Sequence, residues 1–172
     1  MTIQPTDFNL FGSDALKAAF RRHASGVAII TSATKGGEPI GFTATSVTSL
    51  GSNPPLVSFN IAQGSSSYEH LVTGVRVAIH VLQAANLGLA QKLAGPKESR
   101  FQDAHIQWIQ GVPVFVEAAA VILGSIRTRL EVESNAVVVV DIESGIEGVE
   151  AEPLLYFKRG YLTAGQRLAD NF

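Results

Sequence analysis

The chain has 172 residues, a formal net charge of -2, a charged fraction of 16% and a hydrophobic fraction of 46%. This length predicts a single domain, residues 1–172, and the near-neutral charge without a run of lysine and arginine argues against a nucleic acid partner. Because the chain has no cysteine, disulfides, thiolate catalysis and iron–sulfur clusters are excluded, and any redox chemistry needs a bound organic cofactor.

No membrane partner is expected. The first ten residues lack a basic region followed by an apolar core, and no stretch has the length of a membrane span. We therefore expect a cytoplasmic protein. The mean hydropathy of +0.21 also leaves apolar surface that a subunit interface would cover.

The first elements are a helix and a β-hairpin. Ser13 is placed as an N-cap, and apolar residues recur at helical spacing to predict a helix over residues 13 to 24. The β-branched residues 27–34 predict a strand, and the Gly-Gly and Pro of residues 35–39 predict a turn into a second strand over 40–45.

The middle of the chain predicts two further strands. In residues 56–61 Leu56, Ser58 and Asn60 alternate with apolar residues, which predicts one apolar face and one polar face. A short helix capped by Ser67 comes next, then a strand over residues 76–82, and then a helix over residues 84–94. On this strand His80 faces away from the valines, and we expect it to face polar neighbours.

Three more strand regions, residues 115–130, 136–146 and 154–162, follow a polar loop. Six to seven strands with two or three short helices and no βαβ alternation predict a mainly β protein, an antiparallel barrel. The apolar run of residues 137–140 fits either a dimer interface or a buried core strand.

Two clusters of hydroxyl side chains flank the strand over residues 56–61. The first spans Thr43 to Ser49 and the second is Ser65, Ser66 and Ser67. Ordinary bonding of Ser and Thr in turns explains such clusters about as well as a ligand does. Their spacing favours a flat, polar-edged ligand, with Ser66 and Ser67 before a helix whose amides favour a phosphate.

Other candidate groups have weaker patterns. The four histidines, His23, His70, His80 and His105, have no metal-ligand spacing, and neither a G-x-G-x-x-G nor a P-loop motif occurs. Glu131 and Glu133 are two apart on a predicted strand, and they fit a solvated charged face better than an acid/base pair. Lys97, Arg100 and Phe101 fit either a solvated turn or an approach to a phosphate or adenine.

The order of these segments resembles a known family. Residues 20–31 (FRRHASGVAIIT), 41–50 (GFTATSVTSL), 53–57 (NPPLV), 65–67 (SSS), 76–82 (RVAIHVL), 100–101 (RF) and 153–161 (PLLYFKRGY) are similar to the short-chain flavin reductases. These are the reductase components of two-component flavin monooxygenases and have the FMN-binding split-barrel fold.

The resemblance implies a homodimeric Greek-key split barrel that binds FMN or FAD near the subunit interface. It also implies three groups of cofactor-binding residues. The isoalloxazine ring is lined by Thr45, Ser46, Val47, Thr48 and Ser49, and the groove continues along Ser58, Asn60 and Ile61. The phosphate is approached by Ser66, Ser67 and Arg100, with Phe101 packing on the cofactor.

One motif departs from the family pattern. Family members carry Gly-Asp-His where this chain has Glu133, Ser134 and Asn135, and the histidine helps to seat the nicotinamide. Asn135 can donate and accept hydrogen bonds, but it does not titrate.

The resemblance implies an NAD(P)H:flavin oxidoreductase that uses NADH or NADPH and supplies reduced flavin to a monooxygenase partner. No side-chain acid or base is expected to be catalytic, because positioning the two rings is enough for hydride transfer. Two alternatives stay open: a flavoprotein with fixed FMN that passes electrons to another acceptor, and a non-catalytic ligand-binding barrel.

Overall fold

The computed structural model describes residue 4 and residues 7–165. Within them lie the helices α1 (Gly12–Phe20) and α2 (Leu87–Ala94), together with short 3-10 helices at Tyr68–His70, Ala84–Asn86 and Lys97–Ser99. The strands are β1 (Ser25–Gly26), β2 (Ala28–Ala33), β3 (Pro39–Ala44), β4 (Thr48–Ser52), β5 (Pro55–Ala62), β6 (Arg76–Val81), β7 (Gln107–Ile109), β8 (Val112–Val114), β9 (Ala120–Val132), β10 (Asn135–Glu147), β11 (Leu154–Phe157) and β12 (Gly160–Thr163). No helix in this part of the chain is long and apolar enough to cross a membrane.

The main sheet has seven strands in the order β3-β2-β6-β9-β10-β5-β4. Each neighbouring pair is antiparallel, which confirms the mainly β, antiparallel class. A second sheet has the order β1-β11-β12, and β7 pairs with β8. The predicted hairpin of β2 and β3 is confirmed, with Ala28 opposite Ala44.

Two clusters of buried side chains lie on opposite faces of β6. Val77 and Ile79 belong to one cluster and Ala78 to the other, as the two-residue period of a strand requires. The core therefore covers both faces of this strand. In the apolar run of β10, Val138 and Val140 are buried in one of these clusters, whereas Val137 and Val139 on the other face are half-buried.

His80 is part of this core, and the expectation that it faces polar neighbours is wrong. Its side chain has no exposed surface. Nδ1 lies 3.0 Å from the carbonyl oxygen of Ile29, and Nε2 accepts a hydrogen bond of 3.1 Å from the amide of Phe115. An accepting Nε2 requires the neutral ring with its proton on Nδ1. Burial lowers the pKa of His80 to about 4.

Other differences from the sequence expectations are local. Helix α1 spans Gly12–Phe20, so Ser13 lies inside it and Phe11 occupies the N-cap. Glu133 lies in the turn between β9 and β10 with a φ of 51°, so it does not share a strand face with Glu131. The sequence pattern also missed β4 and the β7–β8 hairpin, and it extended β9 too far towards the amino terminus.

The buried His80 predicts acid-dependent stability. The folded state binds a proton at a pKa of about 4, below the unfolded value of about 6.5. The contribution of His80 to the free energy of unfolding is therefore fully present above pH 6.5. It falls as the pH decreases, by about 2 kcal/mol between pH 7 and pH 5. Urea unfolding at both pH values measures this loss.

A His80→Gln variant is the control for this prediction. Glutamine keeps a donor and an acceptor but does not titrate, so the variant should lack this loss although it is less stable at pH 7. An equal loss in both proteins would contradict the assignment to His80.

Candidate functional site

Strand β3 is flanked by the two groups of predicted ligand residues. A cleft of about 420 Å³ opens beside its first residues, and the hydroxyl segment of residues 45–49 follows its last residue. The cleft is lined by Glu38, Pro39, Ile40, Gly41, Ser66, Ser67, Lys97, Glu98, Arg100 and Phe101. We call this the phosphate cleft. The structure thus brings Ser66, Ser67, Arg100 and Phe101 together around one cleft.

Arg100 is held in this cleft by three hydrogen bonds. Its Nε donates to the carbonyl of Gly95 over 2.9 Å, and its Nη1 donates to the carbonyl of Gly41 over 2.9 Å and to Ser66 Oγ over 3.3 Å. Nη2 donates no hydrogen bond to a described residue. A guanidinium fixed in this way can offer the remaining donor to an anion with little further loss of side-chain freedom.

Two further contacts hold the loop that carries Arg100 and the helix α2 before it. Thr43 Oγ1 donates a 2.6 Å hydrogen bond to the carbonyl of Ala90 in α2. Phe101 stacks on Phe115 with ring centres 6.0 Å apart and an angle of 15° between the rings. These contacts fix the phosphate cleft from two sides.

Gly41 allows β3 to lie this close to its neighbours. A Cβ atom at this position would lie 2.8 Å from the carbonyl oxygen of Ile30 and 3.1 Å from Phe101 Cζ. A Cβ atom essentially never lies as close as 2.8 Å to a backbone oxygen, so the close approach of β3 to β2 requires glycine here.

The serine turn differs from the sequence expectation in one respect. Ser67 is buried, and the helix after it is a 3-10 helix of three residues with no side-chain cap from Ser67. Such a short helix has little dipole to attract an anion. The remaining donors for a phosphate are the exposed Ser66 hydroxyl and the cations of the cleft, with Glu38 and Glu98 also on its walls.

The hydroxyl segment lies at the edge of the main sheet. Ser46 Oγ accepts a 2.9 Å hydrogen bond from the amide of Asn60, and Thr48 pairs with Ser58 across β4 and β5. In the described part of the chain β4 is the last strand of the sheet, so one row of its backbone donors and acceptors has no strand partner among these residues. Thr45, Thr48, Ser49 and Asn60 are exposed, and Ser46, Val47 and Ser58 are half-buried.

Ile61 is placed differently from the other groove residues. Its side chain is 4% exposed and packs in the core, because the alternation along β5 directs it away from Ser58 and Asn60. Only the main chain of Ile61 is available to a ligand on the polar face.

Asn135 begins β10 at the end of the β9–β10 hairpin, opposite Ala62 of β5. Its side chain is exposed, with Nδ2 3.5 Å from Ser134 Oγ. The preceding Glu133 has the left-handed φ of 51°, a conformation that glycine adopts without strain. The glycine of the family motif therefore suits this turn better than the glutamate of this chain.

Sequence reasoning missed a second cleft, of about 310 Å³, between α1 and the turn that joins β11 and β12. Its lining includes Lys17, Arg21, Lys158 and Arg159, and it also includes Thr45 of the hydroxyl segment. The four cations come from opposite ends of the chain, so no local sequence pattern could have indicated them. No group of three or more His, Cys, Asp or Glu side chains suited to a metal ion occurs among the described residues.

Several known proteins are similar to this chain in sequence and in fold. Residues 20–165 match the flavin reductase like domain family. A probable flavin reductase of Rhizobium meliloti (strain 1021) is 33% identical over 161 residues, which cover 90% of this chain and 50% of that protein. An NADH:FMN oxidoreductase of Rhodococcus qingshengii is 36% identical over 152 residues, which cover 84% of this chain and 78% of that protein.

A solved structure agrees with both. The flavin reductase domain protein from Arthrobacter sp. FB24 superimposes with a TM-score of 0.84 at 39% sequence identity, covering 91% of this chain and 98% of that one. The chain spans half the length of the Rhizobium relative, whereas the Arthrobacter structure is matched over almost all of its length. From the family match and these similarities, the chain belongs to the flavin reductase like domain family.

Proposed function

We propose that the protein is an NAD(P)H-dependent flavin reductase that reduces FMN or FAD with NADH or NADPH as hydride donor. The observation that carries the proposal is Arg100, which is fixed by Gly41 and Ser66 beside one end of β3 while the hydroxyl segment follows the other end. From Gly41 to Thr45 a strand extends about 13 Å. This length is comparable with the span from the ring system of a riboflavin phosphate to its phosphate.

The donors of the site fit such a ligand. Arg100 and Ser66 would bind the phosphate, with Lys97 nearby and Phe101 and Ser67 closing the cleft. Thr45, Ser46, Val47, Thr48 and Ser49 would line the isoalloxazine ring, and Ser58, Asn60 and the main chain of Ile61 would continue the groove. Asn135 would contact the nicotinamide in place of the histidine of other family members.

The residues of this chain act by position in the proposed reaction. When bound, the flavin would supply the acceptor for a hydride of the reduced nicotinamide, and with a solvent proton this would give reduced flavin and NAD(P)+. The hydroxyl segment would hold the flavin ring, and Asn135 would contact the nicotinamide. Because both rings are oriented before reaction, no side chain needs to transfer a proton.

The exposure of the ring segment favours flavin as an exchanging substrate. Thr45, Thr48 and Ser49 lie at the surface, so reduced flavin can leave and supply a monooxygenase partner. The second candidate, a flavoprotein that keeps FMN and reduces another acceptor, is favoured by the loss of the nicotinamide-seating histidine at Asn135.

The remaining features belong to the same proposal. The seven-stranded antiparallel sheet, with one core cluster on each face of β6, supports a Greek-key split barrel formed by a single domain over residues 1–172. A cytoplasmic location agrees with the use of a nicotinamide hydride donor, which is available there.

A homodimer is supported by the apolar surface around α1. This helix has no buried residue, and Phe11 and Leu16 are 77% and 60% exposed. Large apolar side chains on an amphipathic helix with no core contact are typical of an interface. A second copy of the chain is the partner proposed here.

Anaerobic reduction tests the enzymatic function. Protein with FMN or FAD should lose the flavin absorbance near 450 nm when NADH or NADPH is added in stoichiometric amount, since two electrons reach the flavin. Reduction by dithionite but by neither nucleotide would favour the fixed-flavin alternative. Binding of neither flavin in an equilibrium titration would contradict both.

The phosphate cleft predicts a selective effect of Arg100→Gln. The Kd for FMN should rise about 10- to 100-fold, as expected when a charge-assisted hydrogen bond is lost. The Kd for riboflavin, which lacks the phosphate, should be unchanged. Fluorescence quenching of each flavin measures both constants.

Arg127→Gln is the matched control, because Arg127 pairs with Asp141 on the sheet surface outside the phosphate cleft. It should leave both constants unchanged. Equal weakening of FMN and riboflavin by Arg100→Gln would assign Arg100 to the support of the loop and not to the phosphate.

The proposed interface predicts that Leu16→Asp converts a dimer to a monomer, because a carboxylate in an apolar interface loses its hydration. Analytical ultracentrifugation measures the mass of each species. Thr73→Asp adds the same charge in an exposed loop and should remain dimeric. A wild-type chain that is monomeric at all concentrations would contradict the proposal.

A further inference from the structure

The second cleft, between α1 and the β11–β12 turn, carries an unusual concentration of positive charge. Lys17 lies in α1 and Arg21 directly follows it, and Lys158 and Arg159 form the turn. Among the residues that the structure describes, the lining of the cleft includes no carboxylate. The chain as a whole has 15 acidic and 13 basic residues, so four cations in one cleft depart from its average charge. We call this the basic cleft.

Ion pairs with described residues do not account for these cations, although Lys158 Nζ lies 5.2 Å from the centre of the Phe157 ring. The recorded ion pairs of this part of the chain involve Arg76, Arg127 and Arg129 only. Lys17 and Arg21 lie near the carboxyl end of α1, where a cation is favoured by the helix dipole. That explanation does not apply to the two cations of the turn.

The turn itself holds its cations in an unfavourable backbone conformation. Lys158 and Arg159 have φ values of 48° and 67°. Asn and Gly are the residues that two-residue hairpin turns of this kind favour, because other residues are strained at positive φ. Two long cationic side chains here are a poor choice for local stability, and strained positions concentrate at functional sites.

Aromatic side chains form part of the same cleft. Phe20 is 64% exposed, and its ring meets that of His23 edge to face with centres 5.6 Å apart. Tyr156 is half-buried on the opposite wall. Cations for phosphates beside an exposed aromatic face for a base are the combination that binds nucleotides.

The position of the basic cleft decides which nucleotide it suits. It includes Thr45, the first residue of the hydroxyl segment, whereas the phosphate cleft lies beside Gly41. A flavin whose phosphate binds at Arg100 has its ring near Thr45, so its phosphate is directed away from the basic cleft. An anion in the basic cleft therefore belongs to a second nucleotide that meets the ring from the other side.

We propose that the basic cleft binds the adenosine diphosphate portion of the nicotinamide hydride donor. This inference rests on the proposed function and deepens it. Lys158 and Arg159 contact the diphosphate, Lys17 and Arg21 add to its attraction, and the adenine stacks on Phe20. Binding of the adenosine diphosphate portion here compensates for the absence, at Asn135, of the histidine that seats the nicotinamide in other family members.

The first test is equilibrium binding and needs no turnover. Isothermal titration calorimetry with ADP-ribose, which has the diphosphate and adenosine but no nicotinamide, measures the basic cleft alone. Lys158→Glu should raise the Kd for ADP-ribose about tenfold, because one attraction becomes a repulsion. Raising the salt concentration should weaken binding to the wild type more than to the variant.

Lys35→Glu is the matched control. Lys35 also lies in a hairpin turn, between β2 and β3, about 20 Å from Thr45 by the length of the intervening strand. The same charge reversal there should leave the Kd for ADP-ribose unchanged. Equal weakening by both substitutions would assign the effect to net charge and overturn the proposal.

The second test uses a truncated donor in steady-state kinetics. Lys158→Glu should raise the KM for NADH about tenfold and leave unchanged the KM for reduced nicotinamide mononucleotide, which lacks the adenylate. The Kd for FMN should also be unchanged. An unchanged KM for NADH, or a raised Kd for FMN, would overturn the assignment of the cleft to the donor.

The two proposals fail in different ways. A wild-type protein that binds flavin but is reduced by neither nucleotide nor the truncated donor contradicts the reductase function. A wild-type protein that reduces flavin but shows no binding of ADP-ribose contradicts only the basic cleft assignment.

Discussion

The hydrogen bond from Arg100 to the carbonyl of Gly41 is the contact on which the arrangement of the phosphate cleft depends. It joins the loop after α2 to strand β3, and the same guanidinium reaches Gly95 and Ser66. Three segments that are distant in sequence are thereby held around one cleft. The contact is possible because Gly41 has no Cβ, so Phe101 can lie against the strand. A phosphate bound there would meet a preorganised cation.

Local patterns predicted the parts of the fold that depend on local physics. The β2–β3 hairpin followed from a β-branched run and a Gly-Gly turn, and the polar face of β5 followed from its alternation. β4 was missed because a run of serine and threonine has no apolar alternation. His80 was misplaced because alternation alone does not reveal that both faces of β6 are covered.

Contacts between distant residues account for what the sequence could not provide. The serine and arginine of the phosphate cleft were both candidates, but only the fold brings Ser66 within 3.3 Å of Arg100. The basic cleft joins α1 to the β11–β12 turn, about 140 residues apart in a chain whose average charge gives no indication of it. The absence of cysteine, in contrast, excluded thiol chemistry by this chain directly.

The hydrogen bond between Thr43 and the carbonyl of Ala90 has a consequence for how the site can diversify. It attaches α2 to β3, the strand whose first residues line the phosphate cleft, and the loop that carries Arg100 continues directly from that helix. Helix α2 and this loop thus form one continuous segment that is attached to β3. Insertions or substitutions within this segment can change which phosphate group of a cofactor is preferred. They leave the hydroxyl segment undisturbed, because it lies outside this segment.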